Sequence, residues 1–301
     1  MQNISFSNNL SDILSRHALT PKKRKQKLQG GQLKYSDIAI EAAITIKTVY
    51  HLPYRATQGL LESIMQLMNL NIAVPHYSRV CRRVKRLELP ELANISNDEH
   101  LDIIIDSTGL KIFGQGLWHE EKHGLKKRRE WRKLHLVIDR NSQAIIAQEL
   151  TTSLKSDPAT VDTLLDQITG EISSVTADGA YSTNEVYNSI TTHAVDDVVI
   201  AIPPQINSAL FSVNYMTEPT KRDHNILFAE KYGKYRWQDY SDYNYRSLVE
   251  TTMFRYKKII GESLFSRNFN AQKIESKIAC LVLNKMTALG MPVSEKVKAA
   301  A

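Results

Sequence analysis

Short apolar runs that end at a polar residue recur after residue 100, and they constrain the fold more strongly than any other feature of the sequence. Five such runs cover 101–105, Trp131–Asp139, 144–150, 172–177 and 198–202. Each has the length and apolar content of a buried strand. The segments 157–168 and 183–190 have apolar residues at helical spacing instead. Strands that come first and then alternate with helices predict an α/β fold, in which helices flank a sheet.

The first third of the chain carries a helical pattern. Residues 1–34 are polar and lack periodicity, which predicts a flexible basic arm. Residues 35–98 hold three apolar stripes at helical spacing, the first of them opened by Ser36 as a helix cap. The polar segment 90–99 then predicts a domain boundary. We therefore expect a helical region over 35–98 and a second domain over 99–301.

Positive charge is concentrated in three clusters. The net charge is +7, which suits a polyanionic partner. The basic residues fall within 22–27, 79–86 and 122–133, and the last two clusters include Arg79, Arg82, Arg83, Arg129 and Arg132. Clusters in separate elements favour an extended binding track over a single solubilising tail.

The third helix of the N-terminal region is the candidate reader of DNA. Its apolar stripe consists of Val80, Cys81, Val84 and Leu87, and its arginines lie on the opposite face. Two helices joined by a short turn, with the second one basic, fit a helix-turn-helix motif. The pattern also fits a plain helical bundle with a solvated charged face. Since no CxxC pair occurs, Cys81 and Cys280 are predicted to be buried free thiols.

Two acidic residues stand at the ends of predicted strands. Asp106 follows the run 101–105, and Asp178 follows the run 172–177. In open α/β sheets the carboxyl ends of the strands face the functional crevice, so the two side chains can meet there. An aspartate at such a position can equally well cap the next helix, and either role fits each residue taken alone.

The segment 243–263, which we predict to be one long helix, adds a third carboxylate. At 100° per residue, Arg246 and Lys257 project to about −40° and −20° from Glu250, and Tyr243 lies within about 60° on the other side. Magnesium prefers oxygen ligands, and two such ions can promote phosphodiester cleavage. Asp106, Asp178 and Glu250 are therefore the candidate catalytic and metal-binding residues. Arg246 and Lys257 suit DNA phosphates.

Trp237 lies just before this segment and has two interpretations. Its ring can stack on an unpaired base at a cut DNA end. It can also be a core tryptophan of the domain.

Four stretches of the sequence resemble the DDE transposases of bacterial insertion sequences, of the IS-five-like group. They are QLKYSDIAIEAA from Gln32, IDSTGLKIFGQGLW from Ile105, ADGAYST from Ala177 and YNYRSLVETTMFRYKKIIGESL from Tyr243. The last stretch contains the signature Tyr-x2-Arg-x3-Glu-x6-Lys, realised as Tyr243, Arg246, Glu250 and Lys257. The resemblance covers residues 32 to about 295.

This resemblance implies a ribonuclease-H-like mixed sheet flanked by helices, preceded by an all-helical DNA-binding region. Asp106, Asp178 and Glu250 match the acidic triad, which binds two Mg²⁺ ions, with Mn²⁺ as a substitute. Tyr243, Arg246 and Lys257 match residues that position the terminal DNA of the element. The N-terminal helices are expected to recognise the terminal inverted repeats.

The expected function is metal-dependent cleavage of DNA at insertion-sequence ends and strand transfer into target DNA. Two alternatives use the same residues: a divalent-metal nuclease without strand transfer, and an inactive DNA-binding regulator derived from a transposase. The expected partners are both DNA segments and at least one further copy of the chain. No stretch approaches the roughly 18 apolar residues of a membrane span, so we expect a cytoplasmic, nucleoid-associated bacterial protein.

Overall fold

The computed structural model describes residues 34–92, 100–113, 130–206, 208–212 and 218–290. Most of the predicted arm 1–34, and Arg129 of the third basic cluster, lie outside these residues. The chain forms two compact units. One unit comprises Met1–Pro90 with Asn268–Ala279, and the other comprises Glu91–Arg267 with Cys280–Ala301.

The described elements alternate between helices and strands after residue 100. The α-helices are α1 (Asp37–Val49), α2 (Tyr54–Leu67), α3 (Tyr77–Arg83), α4 (Val161–Leu165), α5 (Asn184–His193), α6 (Lys221–Tyr232), α7 (Lys234–Tyr240), α8 (Ser247–Arg255) and α9 (Phe269–Leu289). The strands are β1 (His100–Ile112), β2 (Trp131–Asp139), β3 (Ile145–Thr152), β4 (Glu171–Ala177), β5 (Ala194–Ala201) and β6 (Ser263–Leu264). None of the helices in the described ranges is long and apolar enough to cross a membrane.

The N-terminal unit is helical, as its apolar periodicity predicts. The Ser36 hydroxyl accepts a hydrogen bond from the Ala39 amide at 3.2 Å, which caps α1. Helices α1, α2 and α3 pack on one another through buried side chains that include Ile40, Leu61 and Val80. The third helix is shorter than predicted, since α3 gives way to a 3-10 turn over Val84–Arg86.

The prediction that both cysteines are buried is wrong for one of them. Cys280 is fully buried in α9, whereas Cys81 is exposed on α3. Val80, Val84 and Leu87 fill the N-terminal core without Cys81. The buried stripe of this short helix is therefore narrower than the sequence pattern suggested.

The second unit is built on a mixed sheet with helices on its faces. The strand order is β3-β2-β1-β4-β5, with β6 paired to the end of β1. Strand β1 is antiparallel to β2 and parallel to β4, and β5 is parallel to β4. The α/β fold with a flanked mixed sheet is thus confirmed.

Strand alternation gives the two faces of β1 different surroundings. Leu101, Ile103 and Ile105 belong to a buried cluster with residues of α4 and α5. Because successive side chains point to opposite faces, Asp102, Ile104 and Asp106 face the other side of the sheet. Helix α8 packs against β1 and β2, and its Val249 is fully buried.

The segment predicted as one helix over 243–263 consists of three successive types of helix. Tyr243–Arg246 form a 3-10 turn, Ser247–Arg255 form α8, and Tyr256–Ile260 form a π-helical turn. Gly261, with φ of 112°, ends the helical stretch. The uniform rotation of 100° per residue used for the prediction therefore does not hold along the whole segment, and Lys257 is the residue most affected.

Residues 205–242, which the sequence pattern left unassigned, contain α6 and α7. Thr220 and Asp223 form a capping box at the start of α6. Gly233, with φ of 86°, joins the two helices. The spacing of Thr220 and Asp223 (T-x-x-D) is typical of a helix start and could have predicted α6 from the sequence.

Candidate active site

The register of the sheet brings Asp106 and Asp178 together. Ile105 of β1 pairs in parallel with Ala177 of β4, and the two aspartates are the residues that follow this pair. Paired parallel strands lie about 4.8 Å apart, so the two carboxylates are close enough for the charge of Asp178 to raise the pKa of Asp106. Asp178 follows the end of β4 as predicted, whereas Asp106 lies inside β1, which continues to Ile112.

Asp178 also fulfils its alternative role as a cap. Its Oδ1 accepts a hydrogen bond from the Ala180 amide at 2.9 Å, which caps the 3-10 turn Gly179–Tyr181. A Cβ atom at Gly179 would lie 3.3 Å from the carbonyl oxygen of Pro203, so this position has little room for a side chain. The cap hydrogen bond and the close approach of Pro203 thus both restrict the conformation of the turn that begins at Asp178.

Arg246 connects the first strand to the helix that carries the third acid. Its Nη1 donates to Asp106 Oδ2 at 2.6 Å, and its Nη2 donates to Glu250 Oε1 at 2.5 Å. The side chain of Asp106 is 13 % exposed and that of Glu250 is 56 % exposed. One guanidinium group therefore bonds two carboxylates that are 144 residues apart in sequence (250 minus 106).

The charges at the site influence one another. Burial raises the pKa of Asp106, and the negative charges of Asp178 and Glu250 raise it further, while the Ser107 amide and Arg246 act in the opposite direction. Burial also raises the pKa of Tyr243, which lies near Arg246 and all three carboxylates. The three acids, Arg246 and Tyr243 thus form one electrostatic cluster.

Two residues beside the cluster were not predicted as part of it. Burial, with the charges of Asp157, Asp106 and Asp178, raises the pKa of Tyr181 well above its ordinary value. Asp157 was predicted only as a helix start, but its carboxylate accepts from Lys133 Nζ at 3.0 Å. Tyr181 follows Asp178 by three residues, within the ADGAYST stretch, and that proximity was the available signal.

The donor set suits a divalent cation. Hard cations such as Mg²⁺ bind carboxylate oxygens, and Asp106 and Glu250 already share one cationic group, the guanidinium of Arg246. In the described ranges, no three His, Cys, Asp or Glu side chains are arranged as a ready metal site. The carboxylate oxygens are suitable ligands for a divalent metal, but in this structure Asp106 and Glu250 accept hydrogen bonds from Arg246.

The other residues predicted to touch DNA near this site have different surroundings. Lys257 is partly buried in the π-helical turn, and among the described residues no hydrogen bond joins it to the three carboxylates. Arg132 is only 15 % exposed and lies 3.7 Å from Glu130. The contact of both residues with DNA stays a prediction.

The stacking role predicted for Trp237 is not possible in this conformation. The residue is 1 % exposed, its Nε1 donates to Asn225 Oδ1 at 3.0 Å, and its ring lies 5.5 Å from that of Tyr243. A ring enclosed in this way has no free face for a base. Trp237 is a core residue that anchors α7 beside Tyr243, which was the alternative interpretation.

The basic face of α3 divides into exposed and engaged arginines. Arg79 and Arg82 are exposed. Arg83 instead donates to the Tyr35 carbonyl and to the Asp37 carboxylate, and its side chain is 19 % exposed. The expectation that Arg83 faces DNA is therefore corrected: its guanidinium ties α3 to the start of α1.

The fold and site define an α/β protein in which acidic groups from two neighbouring parallel strands and a helix cluster beside a mixed sheet. Residues 97–285 match the family model described as a transposase DDE domain, and residues 9–115 match a second model with the same description. The chain therefore belongs to the transposase DDE domain family, a family of enzymes that act on DNA and depend on divalent metal.

Solved transposase structures resemble the chain only distantly. A piggyBac transposase synaptic complex with hairpin DNA is 10 % identical, with a TM-score of 0.41 over 91 % of this chain and 71 % of that chain. The Drosophila P element transposase strand transfer complex is 12 % identical, with a TM-score of 0.34 over 66 % and 48 %. The Mos1 strand transfer complex is 9 % identical, with a TM-score of 0.23 over 86 % and 79 %. The family assignment stands on the sequence match.

Proposed function

We propose that the chain is an insertion-sequence transposase that cleaves DNA at the ends of its element and joins them to target DNA. Asp106, Asp178 and Glu250 are its catalytic residues. The sheet is a ribonuclease-H-like core, which the order β3-β2-β1-β4-β5 and its mixture of parallel and antiparallel pairs support. The motif Tyr243, Arg246, Glu250 and Lys257 supports assignment to the IS-five-like group.

The observation that carries this proposal is the clustering of acidic residues from β1, the end of β4 and α8 around Arg246, two of them through hydrogen bonds and Asp178 through its charge. The pairing of Ile105 with Ala177 sets Asp106 beside Asp178. The two hydrogen bonds of Arg246 bring Glu250 to Asp106. Acidic groups from three distant parts of the chain are brought together at one place, where a phosphodiester could be attacked.

Asp106, Asp178 and Glu250 would hold two Mg²⁺ ions, or Mn²⁺ in their place. When bound, such ions supply activation of water and stabilisation of the leaving oxygen. Arg246 can grip a DNA phosphate through two nitrogens, whereas Lys257 offers a compact charge. Tyr243, anchored against Trp237, would orient the terminal nucleotide beside them.

The N-terminal helices over 35–98 are proposed to bind the terminal inverted repeats through a helix-turn-helix motif. The exposed Arg79 and Arg82 of α3 support this, since exposed arginines suit phosphate and base contacts. Domain 99–301 would carry the chemistry. Two ends must be brought together for transposition, so a homodimer or larger assembly on bacterial nucleoid DNA is part of the proposal.

The test is a plasmid assay in which the substrate carries the DNA segments that border the coding region on both sides. The wild-type protein is expected to cleave the ends in Mg²⁺ or Mn²⁺ and to yield strand-transfer products. Glu250→Gln should lower the cleavage rate by more than about 100-fold, because the loss of a metal ligand costs more than that of its supporting partner. Glu262→Gln is the matched control, since Glu262 is exposed and pairs with Lys111 instead.

The products separate the alternative functions. Nicks without joined products would favour a nuclease that lacks strand transfer. DNA binding without any cleavage, with Asp106→Asn indistinguishable from the wild-type protein, would favour an inactive regulator and contradict the proposal.

A further inference from the structure

Arg246 is the cation already bound by the proposed metal ligands. Its two terminal nitrogens contact two different carboxylates, at 2.6 Å for Asp106 and 2.5 Å for Glu250. The Arg246 side chain is 23 % exposed, so solvent screens these contacts only in part. This is a bridge between two acids from different elements, in contrast to a bidentate pair with one of them.

The bridge engages the oxygens that a metal would need. Asp106 Oδ2 accepts from Arg246, and Asp106 Oδ1 accepts from the Ser107 amide at 2.7 Å. Glu250 Oε1 also accepts from Arg246. Mg²⁺ approaches its oxygen ligands to about 2.0–2.1 Å and keeps near-octahedral geometry, which a guanidinium bonded to the same oxygens obstructs. Arginine stays charged in proteins, so it cannot reduce its repulsion of the metal ion by losing a proton.

We propose that Arg246 and a divalent cation compete for Asp106 and Glu250, so that metal binding releases the guanidinium toward the DNA phosphate. This inference rests on the proposed function and adds an order of events to it. Before metal binds, Arg246 neutralises two acids that would otherwise repel each other. After metal binds, the same group repels the ion and favours an anionic partner.

Linkage makes the consequence measurable. A group that must leave its carboxylates for the metal weakens metal affinity, and a phosphate that accepts this group strengthens it. By reciprocity, the metal strengthens phosphate binding by the same factor as the phosphate strengthens metal binding. Removal of the guanidinium should therefore tighten metal binding when no DNA is present. A residue that merely organised the carboxylates would give the opposite result, since its loss would loosen the site.

The experiment measures binding of Mn²⁺ alone to the full chain, without DNA, by the electron paramagnetic resonance signal of the free ion. Arg246→Ala is expected to bind Mn²⁺ about 10-fold more tightly than the wild-type protein, within the usual range of coupling between two sites. Arg255→Ala is the matched control. It removes the same charge from the same helical segment, where Arg255 donates to the Thr287 hydroxyl, and should change the affinity less than about twofold.

A second measurement keeps the proposal open to refutation if the alanine variant is less stable. Guanidinium chloride, at a concentration far below that which unfolds proteins, should weaken Mn²⁺ binding to Arg246→Ala more than the same concentration of sodium chloride does. The free ion would take the place of the missing side chain. The wild-type protein should show no such difference between the two salts.

The outcomes separate this inference from the proposed function. Equal or weaker Mn²⁺ binding by Arg246→Ala, with no effect of guanidinium, would overturn the competition and leave the transposase proposal intact. Mn²⁺ binding that is unchanged in both Asp106→Asn and Glu250→Gln would instead remove the metal site on which both rest.

Discussion

Two neighbouring arginines on α3 show that the same residue type can serve two purposes. Arg82 is exposed, and its Nε donates to the Ser78 carbonyl of its own helix, at 3.2 Å. Arg83 bonds the Tyr35 carbonyl and Asp37. We therefore expect Arg82 to be available for DNA and Arg83 to stabilise the helical unit.

Substitution of these arginines should separate affinity from stability. Arg82→Gln is expected to weaken DNA binding and to reduce its salt dependence by about one phosphate contact, with little change in melting temperature. Arg83→Gln should cost about 1–3 kcal/mol of stability, because two groups lose a charged partner. Thermal melts and DNA titrations of the two variants provide the check. An equal effect of both variants on both measurements would contradict the assignment.

His135 is a second residue whose surroundings decide its chemistry. It lies fully buried on β2, with Nε2 2.9 Å from Thr151 Oγ1 and Nδ1 3.3 Å from Thr160 Oγ1. Burial lowers its pKa from 6.5 to about 4, although the charge of Asp157 acts in the opposite direction. The folded protein therefore keeps this imidazole neutral at pH values where the unfolded chain binds a proton.

This difference predicts a loss of stability in acid. As the pH falls from about 6.5 to about 4, the unfolded state takes up a proton that the folded state does not, which costs as much as about 3 kcal/mol. Denaturant titrations across this window should show a smaller loss for His135→Gln than for the wild-type protein. His193→Gln should change the slope in the other direction. Hydrogen bonding to the Ser189 carbonyl raises the pKa of His193, so its contribution is present in acid and is lost as the pH rises.

At the scale of elements, the end of α9 is fixed to the sheet by one side chain. The Asn284 amide donates to the carbonyls of Leu92 and Ile145 at 2.8 and 2.7 Å, and its oxygen accepts from the Ile145 amide at 2.8 Å. These backbone groups lie at the start of β3 and in the segment before β1. The Asn284 side chain thus bonds both the amide and the carbonyl of Ile145, as a neighbouring strand would, at the edge strand β3.

Asn284→Ala should remove this attachment. Three part-buried backbone groups would lose their partner, so we expect a loss of about 2–4 kcal/mol. The exposed neighbour Lys285→Ala should change stability by less than about 0.5 kcal/mol. Urea unfolding of the two variants measures the difference, and similar midpoints would show that the Asn284 contacts do not stabilise the unit.

In the helical segment from Tyr243 to Ile260, the type of helix changes between the residues of the candidate site. A 3-10 turn carries Tyr243 and Arg246, the α-helix carries Glu250, and the π-helical turn carries Lys257. Single π-helical turns inside helices occur often at functional sites. The change of winding alters the direction of Lys257 relative to Glu250, which sequence spacing alone does not specify.

At the scale of the whole molecule, 39 basic and 32 acidic residues give a net charge of +7. For a protein that neutralises about six phosphates, duplex affinity falls roughly 10³-fold between about 50 and 200 mM salt. We expect a slope of this size for duplex DNA without inverted repeats, measured by fluorescence anisotropy at several sodium chloride concentrations. A slope near zero would argue against an extended phosphate-binding track.

The sequence alone determined the kinds of element and the identity of the acidic residues. Apolar runs of strand length and stripes of helical spacing depend only on local side-chain pattern, so β1, β2, β4 and α1 were predictable. Asp106 and Asp178 were recognisable because each directly follows a run of buried apolar residues. The family signature added Glu250, Arg246 and Tyr243.

Only the tertiary structure decided what these residues contact. The register of β1 with β4 sets Asp106 beside Asp178, and packing of α8 on the sheet brings Arg246 between Asp106 and Glu250. Packing enclosed the ring of Trp237, and the Tyr35 carbonyl and Asp37 engaged Arg83. Such contacts depend on side chains from segments far apart in the chain, and local periodicity contains no information about which distant groups will meet.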